Sequence, residues 1–277
     1  MSLLITSLNS GSNGNCYYVG TRNEAVLVDA GISCRETERR MNRLGLDINS
    51  VKAIFISHEH NDHVNGLATL SKKYQLPVYI TQKTQRNGRG WVEQHLVRRF
   101  LTHESIGIGG LKVKCFPKAH DAQDPHSFMI SMGSINVGVF TDIGKTCPHV
   151  ISHFRQCHAV FLESNYDAQM LMNGSYPAVL KKRITSGHGH LSNTEALDLF
   201  RKHRPPFLTH LILSHLSKNN NCPEIVKELF SPYAGHTNII IAPRDQETPL
   251  FEIADLVNHN QAFTSPPVFS SEQLSLF

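Results

Sequence analysis

Residues 57–66 read Ser57-His58-Glu59-His60-Asn61-Asp62-His63-Val64-Asn65-Gly66. Within this stretch His58, His60, Asp62 and His63 form the pattern HxHxDH, four potential ligands in six residues. They follow residues 51–56, a mostly apolar run that predicts a buried strand. A solvated polar loop explains one or two histidines, but not this spacing at the end of a buried strand. An extended turn can aim His58 and His60 at one point. Asp62 and His63, at the start of the next helix, can aim at a second. Imidazole and carboxylate donors suit zinc, and also manganese or iron.

The rest of the chain supports a metal reading without naming the chemistry. The 17 histidines nearly equal the 18 glycines, although glycine is normally among the commonest residues. With 277 residues, 40% hydrophobic and 18% charged, the chain can bury a sizeable core and is not disordered in bulk. The net charge of +4 is compatible with a polyanionic partner. Residues 1–11 lack a basic n-region, and no run approaches the roughly 18 apolar residues of a membrane span. A cytoplasmic protein without membrane contact is expected. Six cysteines (Cys16, Cys34, Cys115, Cys147, Cys157, Cys222) without CxxC pairing read as free thiols.

Residues 3–5, 16–19 and 24–28 read as strands separated by Gly/Ser/Asn turns. Residues 33–44 read as a helix, with Ser33 and Glu36 placed as a capping box. Helices are expected at 65–74, 93–99, 177–184, 194–201 (capped by Asn193) and 223–229. Further strands are expected at 77–81, 111–116, 127–132, 136–140, 159–162, 210–213 and 238–242. Strands that first succeed one another and later alternate with helices predict an α/β domain of mixed sheets covered by helices. It should span residues 1–259. From Asn260 a Ser/Pro/Phe-rich tail, residues 260–277, shows no periodicity.

HxHxDH resembles the signature of the metallo-β-lactamase superfamily, and other stretches resemble its remaining motifs in order. Asp29 closes a strand ahead of HxHxDH. His120 lies in Lys118-Ala119-His120-Asp121-Ala122, Asp142 in Val139-Phe140-Thr141-Asp142-Ile143-Gly144, and His215 in Leu213-Ser214-His215-Leu216-Ser217. The resemblance implies an αβ/βα sandwich of two mixed sheets with helices on the outer faces. It also implies two divalent metal ions: His58, His60 and His120 on one, Asp62, His63 and His215 on the other. Asp142 would bridge them, Asp29 would support the ligands from behind, and a water or hydroxide between the ions would be the nucleophile. By residue type alone, His126 competes with His120, Asp142 reads equally as a turn residue, and His215 as an ordinary strand-end histidine.

Over about residues 1–245 the chain resembles the YycJ (WalJ) family of exonucleases. The resemblance is carried by Ser10-Gly11-Ser12-Asn13-Gly14-Asn15-Cys16, Ala119-His120-Asp121-Ala122 and Glu163-Ser164-Asn165-Tyr166-Asp167. Its most specific parts are Gly189-His190-Leu191-Ser192-Asn193 and His215-Leu216-Ser217-Lys218-Asn219-Asn220. Asp124-Pro125-His126 departs from the pattern, which expects a small residue after the proline. The 73 residues from Asp142 to His215 leave little room for an inserted second domain. A compact, cap-less phosphodiesterase is implied, most simply a 5′→3′ exonuclease acting on DNA in replication-linked repair. A small-molecule hydrolase of the same fold, cutting a thioester, lactone or cyclic phosphodiester, is the alternative. A metal-binding scaffold without chemistry is the third reading, and so full a ligand set opposes it.

Asp62 and His190 are the candidate catalytic groups. His190, outside the ligand set, reads as a general acid or a phosphate contact, or else as a turn histidine preceding a helix; His188 is the weaker candidate. Ser12 and Asn15, in a loop with the composition of an anion-binding nest, and Asn219 and Asn220, just after His215, are candidate substrate contacts. Lys181-Lys182-Arg183, Arg201-Lys202-His203-Arg204 and Arg86, Arg89, Arg98 and Arg99 are candidate phosphate contacts. Trp91, Phe100 and Tyr166 are candidate stacking platforms. Arg35, Arg39 and Arg43 read as a solvated helix face. The chain ends Gln273-Leu274-Ser275-Leu276-Phe277. That segment resembles the pentapeptide by which bacterial polymerases and repair proteins dock on the sliding clamp, with Gln273, Leu274, Leu276 and Phe277 as the docking residues.

Overall fold

The computed structural model describes residues 1–88 and 92–254. Trp91, Arg89 and the segment ending Gln273-Leu274-Ser275-Leu276-Phe277, with the expected boundary at residue 259, lie outside them. The described chain forms two seven-stranded mixed sheets. The first contains β1 (Ser2–Asn9), β2 (Cys16–Gly20), β3 (Ala25–Val28), β4 (Val51–Phe55), β5 (Val78–Ile80) and β6 (Val97–Arg99). The second contains β7 (Ser105–Ile108), β8 (Leu111–Pro117), β9 (His126–Met132), β10 (Ile135–Phe140), β11 (Ala159–Glu163), β12 (His210–Ser214) and β13 (Asn238–Ile241). β14 (Phe251–Ala254) returns to the first sheet and pairs antiparallel with β1. Within each sheet the early strands are antiparallel, whereas β3 to β6 and β10 to β13 run parallel.

Strand periodicity assigns the faces. On β11, Ala159 and Phe161 enter the core between the sheets, while Val160 and Leu162 face the outer helices. On β4, Phe55 points inward and Ile54 outward. The outer face of the first sheet packs on α1 (Cys34–Arg43) and α3 (Leu67–Tyr74); that of the second packs on α5 (Pro148–Phe154), α8 (Asn193–His203) and α9 (Pro223–Phe230). Three layers of buried side chains therefore separate four layers of structure, the αβ/βα sandwich that the resemblance implied. Each fully buried Phe or Leu contributes about 1.5–3 kcal/mol.

The expected helix over 65–74 is α3 (Leu67–Tyr74), preceded by a separate short helix, α2 (Asn61–Val64), with Asn65 and Gly66 between them. A Cβ at Gly66 would lie 1.9 Å from Ile32 O, so the chain can pass here only as glycine. The expected helix over 93–99 is a single 3₁₀ turn, Gln94–Leu96, followed by β6, because Val97 pairs with Val78 on the parallel edge. α4 (Gln82–Asn87) precedes it. Ser33 caps α1 as expected, but Glu36 completes no box: its carboxylate holds Arg39 and Arg40. Ser192, not Asn193, caps α8, in a full capping box with Glu195. Asn193 is buried and bonded to Ser164 and Asn221. Between Asp142 and His215 lie α5, β11, α6 (Ala168–Asn173), α7 (Ala178–Ile184), α8 and β12, with no inserted domain.

Candidate metal centre

The site lies where parallel strands end. Asp29 follows β3, Ser57 and His58 follow β4, Asp142 follows β10, Glu163 ends β11 and His215 follows β12. Asp29, Asp142 and His215 adopt left-handed backbone angles, with φ of 62°, 52° and 58°. Such angles are costly for non-glycine residues and persist where surrounding contacts enforce them. They turn each chain sharply out of its strand while the side chain stays in the site. His120 arrives on the loop after β8. Asp62 and His63 sit in α2, whose N-cap position is His60.

The converging atoms fall into overlapping donor groups. His58, His60 and His120 form one; Asp62, His63 and His215 form another; the ligand atoms of each lie within 4.8 Å of one another. His58 Nε2 is 3.1 Å, and His120 Nε2 3.4 Å, from His60 Nδ1. Asp142 lies between the groups, its carboxylate 3.9 Å from His120 Nε2, 3.2 Å from His63 Nε2 and 3.6 Å from His215 Nε2. Its Oδ2 is buried and accepts no hydrogen bond. A buried carboxylate oxygen without a hydrogen bond, faced by several imidazole nitrogens, is an arrangement a cation resolves.

The opposite edges of the imidazoles are held by acceptors. His63 Nδ1 faces Asp29 Oδ2 at 2.7 Å, His120 Nδ1 faces Gly189 O at 2.8 Å, and His215 Nδ1 faces Glu163 Oε1 at 3.2 Å. A proton on each Nδ1 leaves the Nε2 lone pair directed inward, the usual outer support of metal-binding histidines. Asp29 also accepts from Ser57 N and Ser57 Oγ, so its carboxylate is fixed.

Charge divides the site in two. Burial holds His58 well below the ordinary histidine range and takes His120 down to about 4, so both offer lone pairs at neutral pH. Burial also disfavours charge on His63 and His215, but the surrounding carboxylates outweigh it. Asp142 and Asp29 raise His63 well above its usual range, and Asp142, Asp62 and Glu163 push His215 up to about 10. Asp62 and Asp142 stay ionised despite burial, because His63 and His215 face them. A pocket that favours positive charge so strongly fits divalent cations, and the clustered donors can hold two of them.

Glu163, which the sequence reading did not assign, joins this centre to His190. It is fully buried. Oε1 accepts from His190 Nδ1 at 2.7 Å, and Oε2 from the backbone N–H of Ile143 at 2.5 Å and of Leu191 at 3.3 Å. His190 is part-exposed at the mouth of a pocket that it lines with Ser12, Asn165, Arg183 and His215. Asn165, also unassigned, donates to His215 O and lies 3.1 Å from His215 Nδ1. Lys118 is buried within reach of the site's carboxylates; burial lowers its pKa, and it donates to Thr141 O.

Several expectations are corrected. His126 turns away from the metal centre: its ring bonds Thr102 Oγ1 and Asp124 O, and His120 takes the inward position. In the loop of Ser10 to Asn15 the N–H groups of Gly11, Gly14 and Asn15 already donate to Asn15 Oδ1, Gly11 O and Asp62 O, so these three are not left for an anion. Asn15 is buried, with its amide against Asp62 and His63, and positions them from below. Ser12 does line the pocket. Asn219 bonds the Tyr176 hydroxyl, whereas Asn220 is buried beside Ser217 and Gly174, outside the pocket lining. Phe100 belongs to the core between the sheets and Tyr166 to a small buried cluster, so neither presents a face to a base. Within Arg201-Lys202-His203-Arg204, Arg201 lies over the Tyr233 ring, Lys202 pairs with Asp198, and Arg204 bonds Tyr233 O. Arg39 and Arg43 do lie on the surface, but paired with Glu36 and Glu247.

Comparison with known proteins accords with this architecture. Residues 24–215 match the family model described as the beta-lactamase superfamily domain. The chain is 35% identical over 235 residues to the exodeoxyribonuclease YycJ of Bacillus anthracis, covering 82% of this chain and 87% of that one. It is 30% identical over 223 residues to the exodeoxyribonuclease WalJ of Streptococcus pneumoniae, covering 79% and 83%. Among solved structures, the metallo-β-lactamase fold protein YhfI from Bacillus subtilis superposes with a TM-score of 0.69 at 17% identity, covering 89% of this chain and 99% of that one. The chain belongs to the metallo-β-lactamase superfamily, with close homology to YycJ/WalJ-type proteins. Fold, homology and donor clusters together define a metal-dependent hydrolase. No helix among the described residues is long and apolar enough to cross a membrane.

Proposed function

We propose that this protein is a two-metal phosphodiesterase that removes nucleotides from DNA ends in the 5′→3′ direction. The observation that carries the reading is the Glu163-held His190 beside the double donor cluster, at the mouth of an open pocket. The family's exodeoxyribonucleases, matched over about four fifths of this chain, supply the substrate class. His58, His60 and His120 would hold one cation and Asp62, His63 and His215 the other, with the Asp142 carboxylate between the two donor groups. Bound there, a pair of divalent ions (zinc, manganese or iron) would supply charge stabilisation for a phosphate and lower the pKa of water. Asp29 and Glu163 keep the ligand imidazoles in the inward-facing tautomer. Glu163 also fixes His190 with its proton on Nδ1 and its Nε2 edge free, so that a protonated His190 can pass a proton to the leaving oxygen.

The six free cysteines fit a reducing, cytoplasmic compartment. Gln273, Leu274, Leu276 and Phe277 would dock on a sliding clamp and hold the enzyme near replicating DNA, in replication-linked repair. The test is purified protein with Mn²⁺ or Zn²⁺ on 5′- and 3′-labelled single- and double-stranded DNA and RNA. Degradation of DNA from its 5′ end, with affinity falling steeply as salt rises, supports the reading. Hydrolysis of thioesters, lactones or cyclic phosphodiesters alone would replace it.

A further inference from the structure

The pocket beside His190 has two unlike walls. One is the metal centre itself, presented by His190, His215 and Gly189; the other is the α6–α7 arm, presented by Tyr176, Leu180 and Arg183. Tyr176 and Leu180 are half-buried and pack on the buried cluster of Tyr166, Leu171 and Ile184, so this wall is apolar and backed by structure. Arg183 closes it. Its Nε is ion-paired with Asp121, the neighbour of His120, which fixes the guanidinium against the site and leaves its Nη donors for another acceptor. From the far side Ser12 reaches the same pocket, its hydroxyl held by Arg244 at 3.2 Å.

The outside of the arm is also unusual. Met172 is 66% and Val179 83% exposed, two of the few large apolar side chains so exposed among the described residues. Next to them the last turn of α7 carries Lys181, Lys182 and Arg183. Lys181 donates to Met172 O and ties the two helices together. Exposed apolar groups beside cations, around an apolar-walled pocket that opens on a metal centre, match a nucleotide: a flat apolar base and a doubly solvated anion on one ligand.

We infer that the α6–α7 arm is the nucleotide subsite of this enzyme. The sugar and base of the terminal deoxynucleotide lie against Tyr176 and Leu180, and Arg183, steadied by Asp121, binds the phosphate next to the one being cut. The strand beyond follows Lys182 and the exposed face of Val179. The inference rests on the phosphodiesterase reading above. It assigns substrate grip to a segment that contributes no ligand to the metals.

The experiment compares wild type, Arg183→Gln and Tyr176→Ala in the metal-loaded full chain. Single-stranded oligothymidylate is the substrate, and thymidine 5′-monophosphate is both product inhibitor and titrant. Arg183 is exposed, so its substitution leaves the core intact, and Tyr176→Ala provides a second, uncharged probe. In each variant KM for the oligonucleotide and Ki for thymidine 5′-monophosphate should rise about tenfold. kcat should change less than about threefold, the mark of lost grip rather than lost chemistry. Unchanged KM and Ki, or a fall in kcat at constant KM, would overturn the subsite. Wild-type turnover of bis(p-nitrophenyl) phosphate, a phosphodiester without base or sugar, separates the two claims. If wild type cleaves it and the variants grip the oligonucleotide normally, the subsite alone is wrong. If wild type cleaves neither substrate, the phosphodiesterase reading falls and the subsite with it.

Discussion

Glu163 Oε1 lies 2.7 Å from His190 Nδ1 and 3.2 Å from His215 Nδ1, so one buried carboxylate holds both a metal-centre imidazole and the pocket-facing imidazole beside it. The two substitutions therefore separate. His190→Ala should slow turnover by about 10²-fold or more while both metal equivalents remain. Glu163→Gln should slow turnover and also weaken metal binding, by about 10- to 100-fold. Single-turnover rates beside elemental analysis check this. His190→Ala with wild-type turnover, or with metal lost as fully as in a ligand variant, would show that His190 is not the proton donor.

Asp62→Ala and His63→Ala should each remove one metal equivalent and abolish hydrolysis. Asp29→Asn should act more mildly, because it removes only the outer partner of His63 and Ser57; a loss of about 10- to 100-fold in metal affinity is expected. Titration of stripped protein with Zn²⁺ reads all three. Two full equivalents with intact activity in the Asp62 and His63 variants would remove the site.

The centre was legible in proportion to how local its residues are. HxHxDH could be read directly because a strand end and the first turn of α2 bring His58, His60, Asp62 and His63 together without help from the rest of the chain. Asp29, His120, Asp142 and His215 each sit at the end of a separate element, and only their order along the chain, through a family resemblance, tied them to the motif. Glu163 was missed as a functional group because a single carboxylate ending the apolar strand β11 gives no local sign that two distant histidines close on it. Asn15 and Asn220 were misplaced because an amide in a Gly/Ser/Asn loop reads the same whether it faces solvent or the interior. β6 and β14 are short edge strands whose pairing is decided by partners far along the chain, beyond the reach of periodicity.

Activity should fall as pH is lowered across the neutral range, since protons compete with metal for the histidine lone pairs. The sign follows from the site: the pKa of His215, raised to about 10, means that a protonated imidazole is favoured there at neutral pH unless a cation replaces the proton. Metal binding should therefore release protons, and apparent affinity should rise with pH. A pH–rate profile at fixed Mn²⁺ and a proton-release titration measure both. A flat profile from about pH 5 to 8 contradicts this prediction.

The scaffold beneath the site has its own acid sensitivity. Arg40 is buried and donates to Glu36, Leu8 O, Asn9 Oδ1 and Asp245 O. Arg40→Ala should cost about 3 kcal/mol by orphaning those acceptors. Arg39, together with Arg40, pulls Glu36 down to about 2. The stabilisation from Glu36 is thus complete above its unfolded pKa of about 4.3 and is lost as pH falls toward 2. Denaturation of wild type and Glu36→Gln should differ by about 1 kcal/mol at neutral pH and converge in acid. A gap that persists unchanged at low pH would show that the difference is not electrostatic.

Truncation after Glu272 should abolish binding to a purified sliding clamp and leave hydrolysis of short oligonucleotides unchanged. Equal binding by the full and truncated chains, or by neither, would remove the clamp as a partner.

The most direct measurement is the product made from a DNA duplex labelled at one 5′ end, incubated with Mn²⁺-loaded wild type and with Asp62→Ala treated identically. Wild type should release labelled mononucleotide from the first turnover, with no internally cut fragments, and the variant should release none. Label retained on long fragments, release only from the 3′ end, or equal release by both proteins would contradict the proposed activity.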